Sequence, residues 1–108
     1  MPARAGRGVL LARAGKRDAA LRDAQDALRR DTRAPNLYQV GCVYALTAKT
    51  HSDDTREALN LLWGGLKTGF GLDIVDTDTD LDALRGDPKF KDMVRDAKAL
   101  DALRRGKK

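Results

Sequence analysis

Small and apolar residues form a pattern that occurs twice in the chain, and this repeat constrains the fold more than any other feature. The second copy lies 38 residues after the first. The two sets are Ala20, Leu21, Ala24, Ala27 and Leu28, and then Ala58, Leu59, Leu62, Gly65 and Leu66. Both have the spacing of one face of an α-helix. Repetition of such a unit predicts a stack of helical hairpins.

The composition favours helices over strands. Alanine and leucine together supply 31 of the 108 residues, whereas isoleucine occurs once, as Ile74. Helices favour alanine and leucine, and strands favour β-branched and aromatic residues. We therefore predict an all-α protein with room for a single domain.

Turn residues and prolines divide the chain into five predicted helices. Gly15 ends the first and Pro35 begins the third, because glycine accepts a positive φ and proline suits a first helical turn. The helices are expected over about residues 3–14, 18–30, 35–49, 54–68 and 88–104.

Aspartates mark the starts of the last two helices. Asp53 or Asp54 is expected to cap the fourth helix. Asp87-Pro88 predicts a cap followed by the first residue of the fifth helix. The face that this helix should bury is Phe90, Met93, Val94, Ala97 and Leu100.

The repeated residues resemble the tetratricopeptide repeat (TPR). The first copy is Gly8, Leu11, Gly15, Ala20, Ala24, Ala27 and Leu28, and the second is Leu37, Val40, Gly41, Tyr44, Ala58 and Leu66. The resemblance implies antiparallel helical hairpins stacked as a short right-handed solenoid with a C-terminal capping helix. It divides the chain into residues 3–33, residues 35–70 with a longer inter-helix loop, a degenerate third repeat or cap at 72–104, and a basic tail at 105–108.

Two segments carry a second resemblance. Residues 80–90, DLDALRGDPKF, are similar to the segment that closes repeat arrays in bacterial multi-domain serine/threonine kinases, especially of planctomycete type. Residues 37–46, LYQVGCVYAL, are similar to a repeat helix of that group. The glycine-rich loop and catalytic aspartate motif of kinases are absent, so no kinase activity is implied.

The TPR resemblance implies that a concave surface, built from the first helix of each repeat, binds a peptide or protein. Its expected exposed positions are Val9, Arg13, Tyr38, Gln39, Cys42 and Leu46, beside the small residues Ala5, Ala12 and Ala45. The family's carboxylate clamp needs a lysine and asparagines where Ala5, Val9 and Gln39 stand. A chaperone tail is therefore disfavoured as the partner.

Few residues suit catalysis, and we predict a protein that is not an enzyme and needs no metal or cofactor. His51 is the only histidine and Cys42 the only cysteine, and nothing in the sequence places an orienting third group beside them. Ser52, the single serine, lacks the motif of a nucleophilic serine.

Five aspartates have the spacing of ligands in a calcium-binding loop. They are Asp76, Asp78, Asp80, Asp82 and Asp87. Leu81 occupies the position at which glycine makes the sharp turn, and the last ligand is aspartate rather than glutamate. Helix capping is therefore favoured over calcium binding.

Trp63 lies beside the apolar face of the fourth helix. Two interpretations remain open: Trp63 packs under the C-terminal segment, against Phe90, or it is an exposed anchor for a partner. Packing is favoured, because repeats bury their faces by stacking on neighbours.

The net charge of +5 is unevenly distributed. Residues 1–50 contain 10 basic and 4 acidic residues, and residues 51–108 contain 11 and 12. The basic half suits an acidic peptide partner or, as the alternative, a nucleic acid. Because the first aromatic residue is Tyr38, the basic hairpin lacks rings on which bases could stack. Nucleic-acid binding therefore ranks second.

Two repeats and a cap are fewer than the roughly three repeats of a stable array. Three arrangements remain open. The C-terminal region serves as a third repeat, the chain self-associates through its uncapped first hairpin, or it belongs to a longer array. The sequence has no signal peptide and no apolar run of the roughly 20 residues that span a bilayer, so we predict a cytoplasmic location without a membrane partner.

Overall fold

The N-terminal hairpin turns at a glycine. The computed structural model describes residues 3–106, and side chains from residue 6 onward. Helix α1 is Ala3–Arg13 and α2 is Arg17–Arg30. Gly15, between them, has a φ of 80°, a conformation that residues with a Cβ rarely adopt. Because the connection is so short, α2 packs directly against α1.

Helix α3 lies at the centre of the molecule. It covers Ala34–Thr47 and is followed by α4 at Asp54–Leu66, a 3₁₀ helix at Thr79–Leu84 and α5 at Pro88–Gly106. Helix α3 contacts α1, α2, α4 and the 3₁₀ helix. All its residues from Val40 to Thr47 are buried, as expected for a helix that is apolar on most sides.

These elements confirm the all-α prediction, since the described residues contain only helices and turns. Stacking of TPR type remains a prediction. The side chain of Ala5 and the last two residues of the predicted basic tail lie outside the described part of the chain. No helix in that part is both long and apolar enough to cross a membrane.

The small residues of the repeated pattern allow α3 and α4 to pack closely. A Cβ at Gly41 would lie 2.8 Å from Cγ of Leu62. A Cβ at Gly65 would lie 3.1 Å from the carbonyl oxygen of Ala34. Any larger residue at these positions would force the two helices apart, because interiors have few voids to absorb the added volume.

Residues 69–85, called the covering segment below, contact α3 and complete the apolar core. Val75 and Leu81 are fully buried, and Leu84 is 1% exposed. Asp78 caps the 3₁₀ helix, because its Oδ1 accepts a hydrogen bond of 3.0 Å from the amide of Asp80. The region predicted as a third repeat thus begins with turns and a 3₁₀ helix.

Helix α5 begins as predicted but buries a shorter face. Asp87 Oδ1 accepts a 2.8 Å hydrogen bond from the amide of Lys89, as a cap should. The buried residues are Phe90, Val94 and Ala97. Leu100 is 39% exposed, so its predicted burial is wrong. Past Ala97 the helix lies beside a surface turn, where a guanidinium of α5 donates to the carbonyl oxygen of Lys67.

Three arginine–aspartate pairs join the elements, each through two hydrogen bonds. Arg7 binds Asp23 at 2.6 and 2.8 Å, Arg13 binds Asp80 at 2.9 Å twice, and Arg17 binds Asp54 at 2.9 Å twice. All three aspartates are buried. Such bidentate pairs fix the orientation of the elements that they connect.

Asp54 has a different role from the predicted cap of α4. Neither Asp53 nor Asp54 caps the helix through a side-chain hydrogen bond. The carboxylate of Asp54 instead accepts hydrogen bonds from Arg17 on α2 and, at 2.7 Å, from the hydroxyl of Thr47 on α3. It therefore joins three helices.

Acid is expected to destabilise the protein partly through Asp54. The hydrogen bonds from Arg17 hold the pKa of Asp54 below its usual value, with a smaller contribution from Thr47, although burial opposes them. A carboxyl with a lower pKa in the folded state contributes stability above its unfolded pKa of about 3.9. This contribution is lost as the pH falls through the folded pKa.

Urea unfolding between about pH 6 and pH 3 measures this effect. Asp54→Asn should be less stable at pH 6 and should lose less stability on acidification than the wild type. As a control, the exposed Asp73→Asn variant should lose as much stability on acidification as the wild type. Equal acid sensitivity of Asp54→Asn and the wild type would contradict the prediction.

Candidate functional site

The predicted concave groove is not open to solvent. Four of its six residues are buried: Val9, Tyr38, Cys42 and Leu46, with exposed fractions of 6%, 5%, 4% and 7%. Gln39 is half-buried, and the exposed guanidinium of Arg13 is bound to Asp80. The predicted exposure of the four is wrong, because α1 and α3 face the core and the covering segment contacts α3.

Tyr38 shows how closely the covering segment fits. A Cβ at Gly71 would lie 2.7 Å from Cε2 of Tyr38. The ring of Phe70 meets that of Tyr38 edge-on, with centroids 5.8 Å apart. The Tyr38 hydroxyl donates a 2.9 Å hydrogen bond to Oδ2 of Asp78. Burial raises the pKa of Tyr38, so the hydroxyl stays a neutral donor.

Opening this groove would be costly. A partner that displaced the covering segment would expose Val75, Leu81 and Leu84, which are buried in the core. Each such side chain contributes about 1.5–3 kcal/mol through burial. The sum approaches the whole stability of a small domain, about 5–15 kcal/mol. A binding site is therefore better sought on the open surface of the molecule.

Cys42, Asp78 and Asp80 bring their ligand atoms within 4.8 Å of one another, yet hydrogen bonds within the chain account for them. Both oxygens of Asp80 bind Arg13. Asp78 accepts from the Tyr38 hydroxyl. Burial raises the pKa of Cys42, whereas a thiolate is the form that binds metals. The donor set does not fit a metal ion.

The other aspartates of the calcium-like pattern have separate partners. Asp76 pairs with Lys98 at 2.6 Å, and Asp82 pairs with Arg85 at 3.3 Å. Asp87 caps α5. Their oxygens therefore serve as ion-pair partners and caps for different parts of the fold.

The candidate catalytic residues have different environments. His51 is exposed, and its Nδ1 lies 2.9 Å from the hydroxyl of Thr50. Ser52 is also exposed, whereas Cys42 is buried. A nucleophile needs a base in hydrogen-bond reach. The hydrogen bonds described for Cys42 and His51 do not join the two residues.

Most arginines of the basic half already have acidic partners. Arg7, Arg13, Arg17, Arg29, Arg30 and Arg33 each form an ion pair with an aspartate. Phosphate groups would have to compete with these carboxylates, four of which are bound bidentately by one arginine. The positive charge is therefore less available to a nucleic acid than the sequence suggests.

An open groove lies between α4 and α5, with a volume of about 950 Å³. We call it the α4–α5 groove. It is lined by Ser52, Asp53, Thr55, Arg56, Leu59, Asn60, Trp63, Asp87, Lys89, Asp92, Met93 and Asp96. Leu59, Trp63 and Met93 are half-buried apolar residues that pack on the core. They form its apolar floor, and polar side chains surround them.

Trp63 is half-buried, so it is neither fully packed nor fully exposed. Trp63 packs on the core, yet it keeps an exposed portion that lines the groove beside Met93. The predicted partner Phe90 instead lies under the guanidinium of Arg85, 5.9 Å from the ring centroid. The favoured interpretation, packing under the C-terminal segment, does place Trp63 near α5, whose Met93 lines the same groove. Nothing in the sequence indicates that a groove stays open between the two helices.

No family model, curated protein or solved structure matches this chain. The TPR resemblance therefore rests on the residues named above.

Proposed function

We propose that this protein is a non-catalytic protein-interaction module that holds a segment of a partner in the α4–α5 groove. The observation that carries the proposal is the open apolar floor formed by Leu59, Trp63 and Met93. Grooves of this kind, with an apolar floor and a polar rim, resemble the core and rim of protein interfaces.

The floor residues suit this role chemically. Tryptophan is enriched among the residues that dominate binding energies, because it buries a large area at a small entropy cost. Methionine adapts its shape to different partners. Arg56 and Asn60 on the rim supply polar contacts that exclude water from the floor.

The class of function is the one predicted from the sequence, a protein-interaction module, but the proposed site is the α4–α5 groove and not the predicted concave surface. A partner at the concave residues would compete with the covering segment, which contacts α3 through buried side chains. A partner in the α4–α5 groove leaves the covering segment in place. Nucleic-acid binding is disfavoured at this groove, because four aspartates line it.

Photo-crosslinking in cells that produce the protein tests the proposal. A benzophenone amino acid in place of Arg56, which is exposed, should form discrete adducts with another protein under ultraviolet light. The same group at Arg22, exposed on α2, should not. Trp63→Ala should reduce adduct formation, because truncating an interface anchor costs about 2 kcal/mol or more, roughly 30-fold in affinity.

Circular dichroism establishes that the Trp63→Ala protein is folded. Adducts that are equally abundant from positions 56 and 22, or that persist unchanged in folded Trp63→Ala, would reject the α4–α5 groove as the binding site.

A further inference from the structure

The α4–α5 groove continues along α5 as an exposed apolar strip. Leu100 is 39% exposed and Leu103 is 62% exposed. Leu100 follows Asp96 by four residues and Met93 by seven, and Leu103 follows them by seven and ten. All four residues therefore lie on one face of α5. From Met93 to Leu103 this face is about 15 Å long, or nearly three turns.

Exposed leucines on such a face are energetically unfavourable. A large apolar side chain left in water contributes none of the roughly 1.5–3 kcal/mol that its burial would provide. Single exposed apolar residues need no explanation. Here, however, two of them extend the line that begins at Trp63 and Met93, and aligned apolar residues mark surfaces that another molecule covers.

The charge around the α4–α5 groove, at the Met93 end of this strip, is opposite to that of the chain. The charged residues that line the groove are Asp53, Asp87, Asp92, Asp96, Arg56 and Lys89. Acidic groups outnumber basic ones here, although the chain has a net charge of +5. Basic groups of a partner are therefore attracted to the groove.

Two of these aspartates are accessible to a partner. Asp92 and Asp96 have side chains 63% and 62% exposed, and both pair with Arg95 at 3.1 and 3.4 Å. Exposed ion pairs of this type contribute little, about 0–1 kcal/mol. A lysine or arginine of a partner can therefore replace Arg95 at small cost.

We propose that the partner segment is an amphipathic helix with apolar residues on one face and lysine or arginine along its borders. Its apolar residues pack on Trp63, Met93, Leu100 and Leu103, and its basic residues meet Asp92 and Asp96. This inference rests on the proposed function and names the class of partner. Helices that lie in a groove use anchors at i, i+3 or i+4, and i+7, which matches three turns of α5.

Three synthetic helical peptides of equal length test the inference. The first carries leucines at that spacing with lysines beside them. The second has glutamates in place of the lysines, and the third keeps the composition of the first with its leucines scattered around the helix. Trp63 is the only tryptophan, so its fluorescence reports binding to the full-length protein. The first peptide should bind at least about ten-fold more tightly than either other peptide.

Matched variants locate the contact. Asp92→Asn with Asp96→Asn should weaken binding of the first peptide about ten-fold and reduce its salt dependence. Asp18→Asn with Asp73→Asn changes the charge equally at exposed positions outside the groove and should leave binding unchanged. Leu103→Ala should weaken binding with no change in the unfolding transition, because Leu103 is exposed.

Several outcomes overturn the inference. They are tighter binding of the glutamate peptide, equal binding of the scattered peptide, and indifference to the Asp92 and Asp96 substitutions. Sedimentation equilibrium adds another: dimers that the peptide does not disrupt and that Leu103→Ala abolishes would make a second copy the occupant. If no peptide binds while crosslinks from position 56 persist, the helical partner is wrong and the proposed function stands. If neither peptide binding nor crosslinking from position 56 is observed, the helical partner and the proposed function are both wrong.

Discussion

Replacing Gly71 with alanine is expected to lower the free energy of unfolding by about 3 kcal/mol. Two effects add. Gly71 has a φ of 85°, where a residue with a Cβ is strained by about 1–2 kcal/mol. The added Cβ would also lie 2.7 and 2.8 Å from two carbons of the Tyr38 ring. Overpacking of this kind costs about 1–3 kcal/mol.

Gly15→Ala separates these two effects. Gly15 has a similar φ of 80°, but a Cβ there would meet no atom within 4 Å. Its substitution should therefore cost about 1–2 kcal/mol, from strain alone. Urea unfolding followed by circular dichroism measures both variants. Equal losses at positions 15 and 71 would mean that the covering segment does not press on Tyr38.

A double-mutant cycle at Gly41 and Leu62 is the second prediction. Leu62 is fully buried, and Leu62→Ala should cost about 2–5 kcal/mol through a cavity. Gly41→Ala should cost about 1–3 kcal/mol, because its Cβ would lie 2.8 and 2.9 Å from Cγ and Cδ2 of Leu62. In the Leu62→Ala protein those carbons are gone. Gly41→Ala should there be close to neutral, because the helix propensity of alanine, about 1 kcal/mol, offsets the remaining 3.2 Å contact of the Cβ with the backbone nitrogen of residue 62.

The coupling free energy is the measured quantity. The double variant should be more stable than the sum of the single effects predicts, by about 1 kcal/mol or more. The control is Leu10→Ala, which removes the same atoms from a side chain 63% exposed and should cost within about 0.5 kcal/mol. Additive losses at Gly41 and Leu62 would contradict the close packing of α3 on α4.

Burial of the residues predicted to form a groove changes what a repeat pattern implies about function. In this chain the face formed by α1 and α3 receives the covering segment through Asp78 and Asp80, which bind Tyr38 and Arg13. Residues with the composition of a peptide-binding groove therefore stabilise the fold. The open surface lies instead beside α4 and α5. A resemblance confined to small packing positions predicts helix contacts and leaves the location of the binding surface undetermined.

The helices themselves were predictable because their signals are local. Helix α1, predicted over residues 3–14, covers Ala3–Arg13 in the structure. Helix α5, predicted over residues 88–104, covers Pro88–Gly106. A glycine turn at position 15 and an aspartate cap at position 87 act within a few residues of the chain. Apolar spacing along each helix likewise identifies most of the buried face without knowledge of its partner.

The sequence by itself determined the all-helical class, the short first turn and the close packing of small residues in α3 and α4. Only the tertiary structure decided that Arg13 meets Asp80 and that Gly71 meets Tyr38. The physical reason is the distance along the chain over which each interaction acts. Backbone propensity and helical periodicity act over neighbouring residues, whereas ion pairs and packing join positions far apart in sequence whose proximity exists only once the helices have assembled.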